Sequence, residues 1–191
     1  QIVERLSDYS FLFITLTLKN CKGEDLSKTI DHLFDSWDRF SRRARIARAW
    51  KGGVRALEVT HNVDYNSKDF DTYHPHLHAL VAVRKSYFNG RDYISQRDYT
   101  DMWASAARVD YVPLVHVEKC KTATAASVAE VTKYAVKDRD YILPDDWDLS
   151  ISSVAVLNDA LHRRRLVGWF GVFLDAREEL ALDDAEDGDL I

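Results

Sequence analysis

Three histidines at alternating positions, His74-Pro75-His76-Leu77-His78, lead straight into the apolar run Ala79-Leu80-Val81-Ala82-Val83. Such a run, entered by alternating polar residues, reads as the start of a buried β-strand. Side chains at i and i+2 share one face of a strand, so His76 and His78 point the same way with Leu77 buried behind them. Two imidazoles on one face can be offered to a single metal ion. His74 and His78 are about 13 Å apart along the strand at ~3.3 Å per residue, so one ion does not take all three. His76 and His78 are the expected ligand pair, and His74 stands beside them in a supporting role or as a contact to substrate.

A third ligand is expected from a neighbouring strand. Val54-Arg55-Ala56-Leu57-Glu58-Val59-Thr60 alternates strongly, and Glu58 is an acid in the middle of this β-prone run. A buried carboxylate is costly unless it is paired or bound to a metal. The two segments are close enough in sequence to be antiparallel neighbours across the loop from Asn62 to Tyr73. Glu58 is therefore read as the third ligand, ahead of a simple ion-pair role. Imidazole with carboxylate suits Mn²⁺ or Zn²⁺ better than Mg²⁺.

The second constellation is Glu130-Val131-Thr132-Lys133-Tyr134-Ala135-Val136-Lys137. On a helix, residues three and four apart are neighbours, so Glu130 and Lys137 both flank Tyr134. A tyrosine hydroxyl, with an ordinary pKa near ~10, attacks only when its phenolate is stabilised, and Lys137 offers that charge one turn away. Glu130 offers a carboxylate that takes a proton from the tyrosine or from a water. Alone, this pattern is common and structural; it gains weight beside the metal strand. Together the two groups fit one chemistry, in which a metal-polarised phosphodiester is attacked by a tyrosine that displaces the 3′-hydroxyl and stays joined to the 5′-phosphate.

These side chains need elements to position them. Phe11 to Leu18 is rich in aromatic and β-branched residues and predicts a first, central strand. From Glu24 to about Trp50, Leu26, Ile30, Leu33, Phe34, Trp37 and Phe40 recur at three- and four-residue intervals and predict one long amphipathic helix, broken by Gly52-Gly53 and carrying an arginine cluster on a solvated face. The Glu58 strand, a polar loop and the histidine strand follow. Ser95 is the expected N-cap of a helix through Tyr99, Met102, Trp103 and Ala106. A fourth strand, Val112 to Glu118, leads into a helix from about Thr124 to Lys137. His116 and Glu118 share one face of that strand, where surface ion pairing is their expected role. Beyond Pro144, Val154, Leu157, Leu161, Leu166, Phe170 and Phe173 predict one or two helices broken near Gly168 or Gly171. The order β-α-β-β-α-β is the split β-α-β plan, so the fold class is α+β, a ferredoxin-like or RRM-like antiparallel sheet of about five strands flanked by helices, with a C-terminal helical segment. It places the Glu58 and histidine strands side by side, as the ligand reading requires.

The chain has 191 residues, 46% of them hydrophobic, which suits one domain with a real core. No apolar run approaches ~18 residues and nothing resembles a signal peptide, so a soluble, cytoplasmic protein is expected. Cys21 and Cys120 form no CxxC pair and are read as reduced structural thiols at strand ends. The net charge of −5 argues at first against a nucleic-acid partner, but its distribution reverses that. Residues 175–191 hold eight acids against Arg177 alone, and residues 1–174 keep 25 bases and 23 acids. The expected division is a domain over 1–174 and an acidic, disordered tail over 175–191. Bases cluster at Arg39, Arg42, Arg43, Arg45, Arg48 and Lys51 and at Arg163-Arg164-Arg165; Arg39, Arg42, Arg43 and Arg45, with His74 and Lys133, are the candidate DNA contacts.

The run Phe13-Ile14-Thr15-Leu16-Thr17, the block His74-Pro75-His76-Leu77-His78 and Tyr134-Ala135-Val136-Lys137 resemble, in order and distance, the three motifs of the HUH endonucleases, specifically plasmid rolling-circle replication initiators. Val54 to Thr60 is similar to that family's strand before the histidines, and Leu161 to Phe173 resembles its C-terminal helical segment, so the resemblance covers nearly the whole chain. It implies metal-dependent nicking of single-stranded or hairpin origin DNA, with Mn²⁺ or Mg²⁺ as the ion. Glu130, four residues before Tyr134, matches the single-tyrosine branch, in which the tyrosine opens the origin and the glutamate activates the water that ends the cycle. Tyr141, past Asp138-Arg139-Asp140, is read as structural. No Walker A motif is present, which implies a host helicase as partner. The resemblance also implies a bacterial or archaeal plasmid origin, and the start at Gln1 leaves open that a recognition region lies outside this sequence. The alternatives are a mobilisation relaxase or single-strand transposase of the same superfamily, a non-catalytic origin-binding protein, and a zinc hydrolase.

Overall fold

A computed structural model describes residues 6–120 and 141–179. Strand β1 is Tyr9–Thr17. Helix α1, Gly23–Ser41, starts with Glu24 and Asp25 in its first turn and ends with Arg39 in its last, the arrangement that complements a helix dipole. Its apolar stripe buries Leu26, Ile30, Leu33, Trp37 and Phe40. A short helix α2, Ala44–Ala49, runs directly into β2, Trp50–Asn62, and β3 is Thr72–Arg84. After a 3₁₀ turn at Lys85–Asn89 come α3, Gln96–Ala107, and β4, Val115–Lys119. Helix α4, Trp147–Leu161, β5, Val167–Gly171, and α5, Val172–Glu179, complete the described elements. None of the described helices is long and apolar enough to cross a membrane.

The five strands form one antiparallel sheet in the order β4-β1-β3-β2-β5. Its first four strands follow the split β-α-β plan, and alternation along them divides the core in two. Leu12, Ile14, Leu16, Leu57, Val59, Leu77, Ala79 and Val81 face α1, α3 and α4. Phe11, Val54, Ala56, Leu80 and Ala82 face the other way, towards Phe173 and Ala176 of α5. Ser95 caps α3 as expected: its hydroxyl accepts from the Asp98 amide, and the Asp98 carboxylate accepts in return from the Ser95 amide and hydroxyl. Trp103 locks α3 to the sheet by donating its indole N–H to the Thr17 carbonyl at 2.8 Å.

Two expectations are corrected. The helix after β1 is not continuous to Trp50, and Gly52-Gly53 do not end it. Arg43 is extended between α1 and α2, and this turn lets Ile46 and Trp50 reach the core; Trp50 then packs among Trp37, Phe40, Tyr99 and Phe170. Second, the segment expected to be helical around Leu166 and Phe170 contains β5. The glycines explain the second result and why Gly52-Gly53 end no helix. Gly171 has φ +54°, and a Cβ there would collide with the Lys51 carbonyl, while one on Gly52 would meet the Phe170 carbonyl at 2.6 Å. Gly52 and Gly171 are register partners, so these residues permit a close approach of β2 and β5 rather than break a helix. Leu161 and Phe173 do lie on helices, but Phe170 and Trp169 alternate across a strand and join opposite cores.

Cys21 and Cys120 are free thiols just beyond β1 and β4, as expected, and burial raises the pKa of both. Tyr141 is half-buried against the helix-side core.

Candidate metal centre

From Val54 onward, past the register shift that follows Trp50, the even-numbered residues of β2 share the face of the sheet away from α1 and α3 with the even-numbered residues of β3 and the odd-numbered residues of β1. On that face Glu58 and His76 are direct register partners, and His78 lies opposite Thr15 on its other side. Glu58 Oε2 is 2.9 Å from His78 Nε2 and 3.5 Å from His76 Nε2. One donor atom from each of the three residues falls within 4.8 Å of the others. Leu77, between the histidines, is fully buried on the opposite face and anchors both.

The hydrogen bonds behind the imidazoles suit a ligand role. His76 Nδ1 is 3.0 Å from the His74 carbonyl. A carbonyl only accepts, so Nδ1 carries the proton and Nε2 presents a bare lone pair towards Glu58. His78 Nδ1 is 3.0 Å from Thr15 Oγ1, and the Phe13 ring covers its flank at 5.4 Å between centroids. The side chains of Glu58, His76 and His78 keep 16%, 11% and 20% exposure, so the cluster is recessed but open on one side. Two imidazole nitrogens and a carboxylate oxygen, converging with an open side, are a donor set that can hold a divalent ion and leave room for substrate oxygens.

His74 lies on the same face, its ring 5.2 Å from that of His76; burial, and then the charge of His76, lowers its pKa. His116 is also on this face, in line with Thr15 and His78 across the sheet, but it pairs with Glu118 at 3.5 Å and both are exposed.

The arginine group is not brought to the cluster. Arg39 donates to the Ala106 carbonyl and Arg43 to Ser105 Oγ, and Arg45 pairs with Asp98, so all three tie α1 and α2 to α3 on the far side of the sheet. Arg42 pairs with Asp38 at 3.6 Å and is 80% exposed. Glu130, Lys133, Tyr134 and Lys137 lie outside the described residues. A cavity of about 520 Å³ opens at the other end of β2, among Trp37, Trp50, Arg55, Arg165 and Phe170, and shares no residue with the cluster. Burial there pushes the Arg55 pKa down to about 10.

One residue of the site was not foreseen. Thr15 belongs to the first-strand run, and its odd position puts it on the face of Phe13 and Thr17, yet only the strand register shows that this face is the histidine face.

The whole chain, residues 1–191, matches the family described as Replication protein. The chain belongs to the replication-protein family. Among its relatives, a Protein rep of Streptococcus pneumoniae is 38% identical over 187 residues, covering 95% of this chain and 55% of that protein. A Protein rep of a Bacillus species is 35% identical over 199 residues, covering 95% and 63%. A Replication protein of Staphylococcus aureus is 34% identical over 199 residues, covering 100% of this chain and 82% of that one. The chain thus spans a little over half the length of the first two replication proteins. No solved structure matches it.

Proposed function

We propose that this chain is the catalytic domain of a bacterial plasmid rolling-circle replication initiator, a nickase that cuts single-stranded or hairpin DNA at the origin. The reading is carried by one observation: in a chain of the replication-protein family, Glu58, His76 and His78 from two adjacent strands converge on the open face of the sheet.

The residues fit a divalent ion, and Mn²⁺ or Mg²⁺ held there would polarise the scissile phosphodiester and offset charge on its oxygens. Glu58, His76 and His78 would hold that ion, and His74 lies beside them as a DNA contact. Tyr134 supplies the nucleophile. Its oxygen bonds to phosphorus as the bond to the 3′-oxygen breaks, the phenolic proton is lost to a base, and the 3′-oxygen takes up a proton. Lys137 steadies the phenolate. The phosphotyrosine keeps the bond energy, so the strand can be rejoined, and Glu130 accepts a proton from the water that hydrolyses the link at the end of the cycle. Lys133 and the exposed Arg42 and Arg45 meet phosphates of flanking DNA, while Arg39 and Arg43 serve mainly to dock α3. Strand unwinding falls to a host helicase.

Incubating the protein with a labelled origin hairpin and Mn²⁺ tests this reading. An SDS-stable protein-DNA adduct that disappears with EDTA is expected. Absence of any adduct or nick across a panel of single-stranded origin sequences contradicts it.

A further inference from the structure

The first-strand run Phe13 to Thr17 has no part in the chemistry above, yet it places a hydroxyl behind one ligand. The two imidazoles are held differently. His76 Nδ1 faces the His74 carbonyl, which can only accept, so this ring is fixed with its proton on Nδ1 and is ready to ligate through Nε2. His78 faces a different kind of group: its Nδ1 is 3.0 Å from the Thr15 hydroxyl, and its Nε2 is 2.9 Å from a Glu58 carboxylate oxygen. Ligation through Nε2 requires the proton on Nδ1 and an acceptor facing it, and a lone pair of the hydroxyl supplies that acceptor.

We propose that Thr15 is a positioning residue of the metal centre, whose hydroxyl accepts from His78 Nδ1 and so holds the ring in the form that ligates through Nε2. Register makes the contact possible: Thr15 and His78 are direct partners across β1 and β3, while Ile14 and Leu16 on either side are fully buried and hold the strand in place. Thr17, the next residue on the same face, donates its hydroxyl to the Leu114 carbonyl at 2.9 Å and cannot substitute. The proposal rests on the metal reading of the Glu58, His76 and His78 cluster.

The experiment compares wild type, Thr15→Val, Thr15→Ser and His78→Ala by calorimetric titration with Mn²⁺ alone, and follows the His78 ring by ¹⁵N NMR with and without diamagnetic Zn²⁺. Thr15→Val keeps the branched shape and removes the hydroxyl; its Mn²⁺ affinity should fall about tenfold or more, the usual loss for a partner behind a ligand, while Thr15→Ser stays close to wild type. Wild type loaded with Zn²⁺ should show His78 as Nδ1–H with slowed exchange, and Thr15→Val should lose that protection. Should the valine disturb the strand, Thr15→Ala takes its place. Wild-type affinity in Thr15→Val, with binding lost in His78→Ala, overturns the role of Thr15 and leaves the metal site standing. Wild type that takes up no Mn²⁺ overturns both.

Discussion

Glu58 and His76 face each other as register partners of β2 and β3, and this pairing sets the carboxylate between two imidazoles, 3.5 Å from His76 Nε2 and 2.9 Å from His78 Nε2. Each of the three side chains should therefore be needed. His76→Ala, His78→Ala or Glu58→Ala should lower Mn²⁺ affinity by about 100-fold or more, beyond the loss typical of outer partners, with circular dichroism unchanged. Unchanged affinity in Glu58→Ala would remove that residue and direct attention to His74 or His116.

Leu77 should behave in the opposite way. It is fully buried in the helix-side core between the two histidines. Leu77→Ala should cost about 2–5 kcal/mol of stability in urea denaturation, from lost burial and an incompletely filled cavity. A cost well below ~1 kcal/mol would mean that the strand is not anchored as described.

How much of this was legible in the sequence depended on whether a signal was local. The alternation of His76, Leu77 and His78 and the solitary acid at Glu58 state which side chains share a face, and they foretold the cluster. The cap at Ser95 was equally local. The turn at Arg43 was not, because no residue there breaks a helix and the core's demand for Ile46 and Trp50 decides it. Gly52 and Gly171 looked like helix breakers because a glycine's sequence signal does not say whether it frees the backbone or admits a neighbour. Thr15 could be read as a strand residue, but its partner is set by a register 63 positions away in the chain.

The link between Arg164 and Asp31 joins the segment after α4 to α1, and the guanidinium holds the Asp31 carboxyl below the usual range. A depressed folded-state pKa gives stability that is present above the unfolded value, about 3.9, and is lost as pH falls through the lower folded value. Asp31→Asn should thus be slightly less stable than wild type at pH 7, by under ~1 kcal/mol because Asp31 is mostly exposed. The difference should fade in thermal melts taken below the ordinary aspartate range. A difference that persists undiminished at acid pH contradicts the pairing.

Cleavage should favour single-stranded or hairpin-loop DNA, because a phosphate seated against the sheet face needs its bases turned away. Affinity should fall with added salt, since lysines and arginines meeting phosphates release counterions. Arg42→Ala should flatten that slope by about one unit or less without changing the position of the nick. Equal cutting of a linear duplex and its single strand would contradict the substrate preference.

The most direct measurement locates the covalent bond. Wild type, Tyr134→Phe and Glu130→Gln are each incubated with a labelled origin hairpin and Mn²⁺, and the adduct peptide is sequenced by mass spectrometry. The nucleotide should be found on Tyr134, absent in Tyr134→Phe, and persistent in Glu130→Gln on a substrate that wild type releases. An adduct on Tyr141, or normal release by Glu130→Gln, would contradict the account.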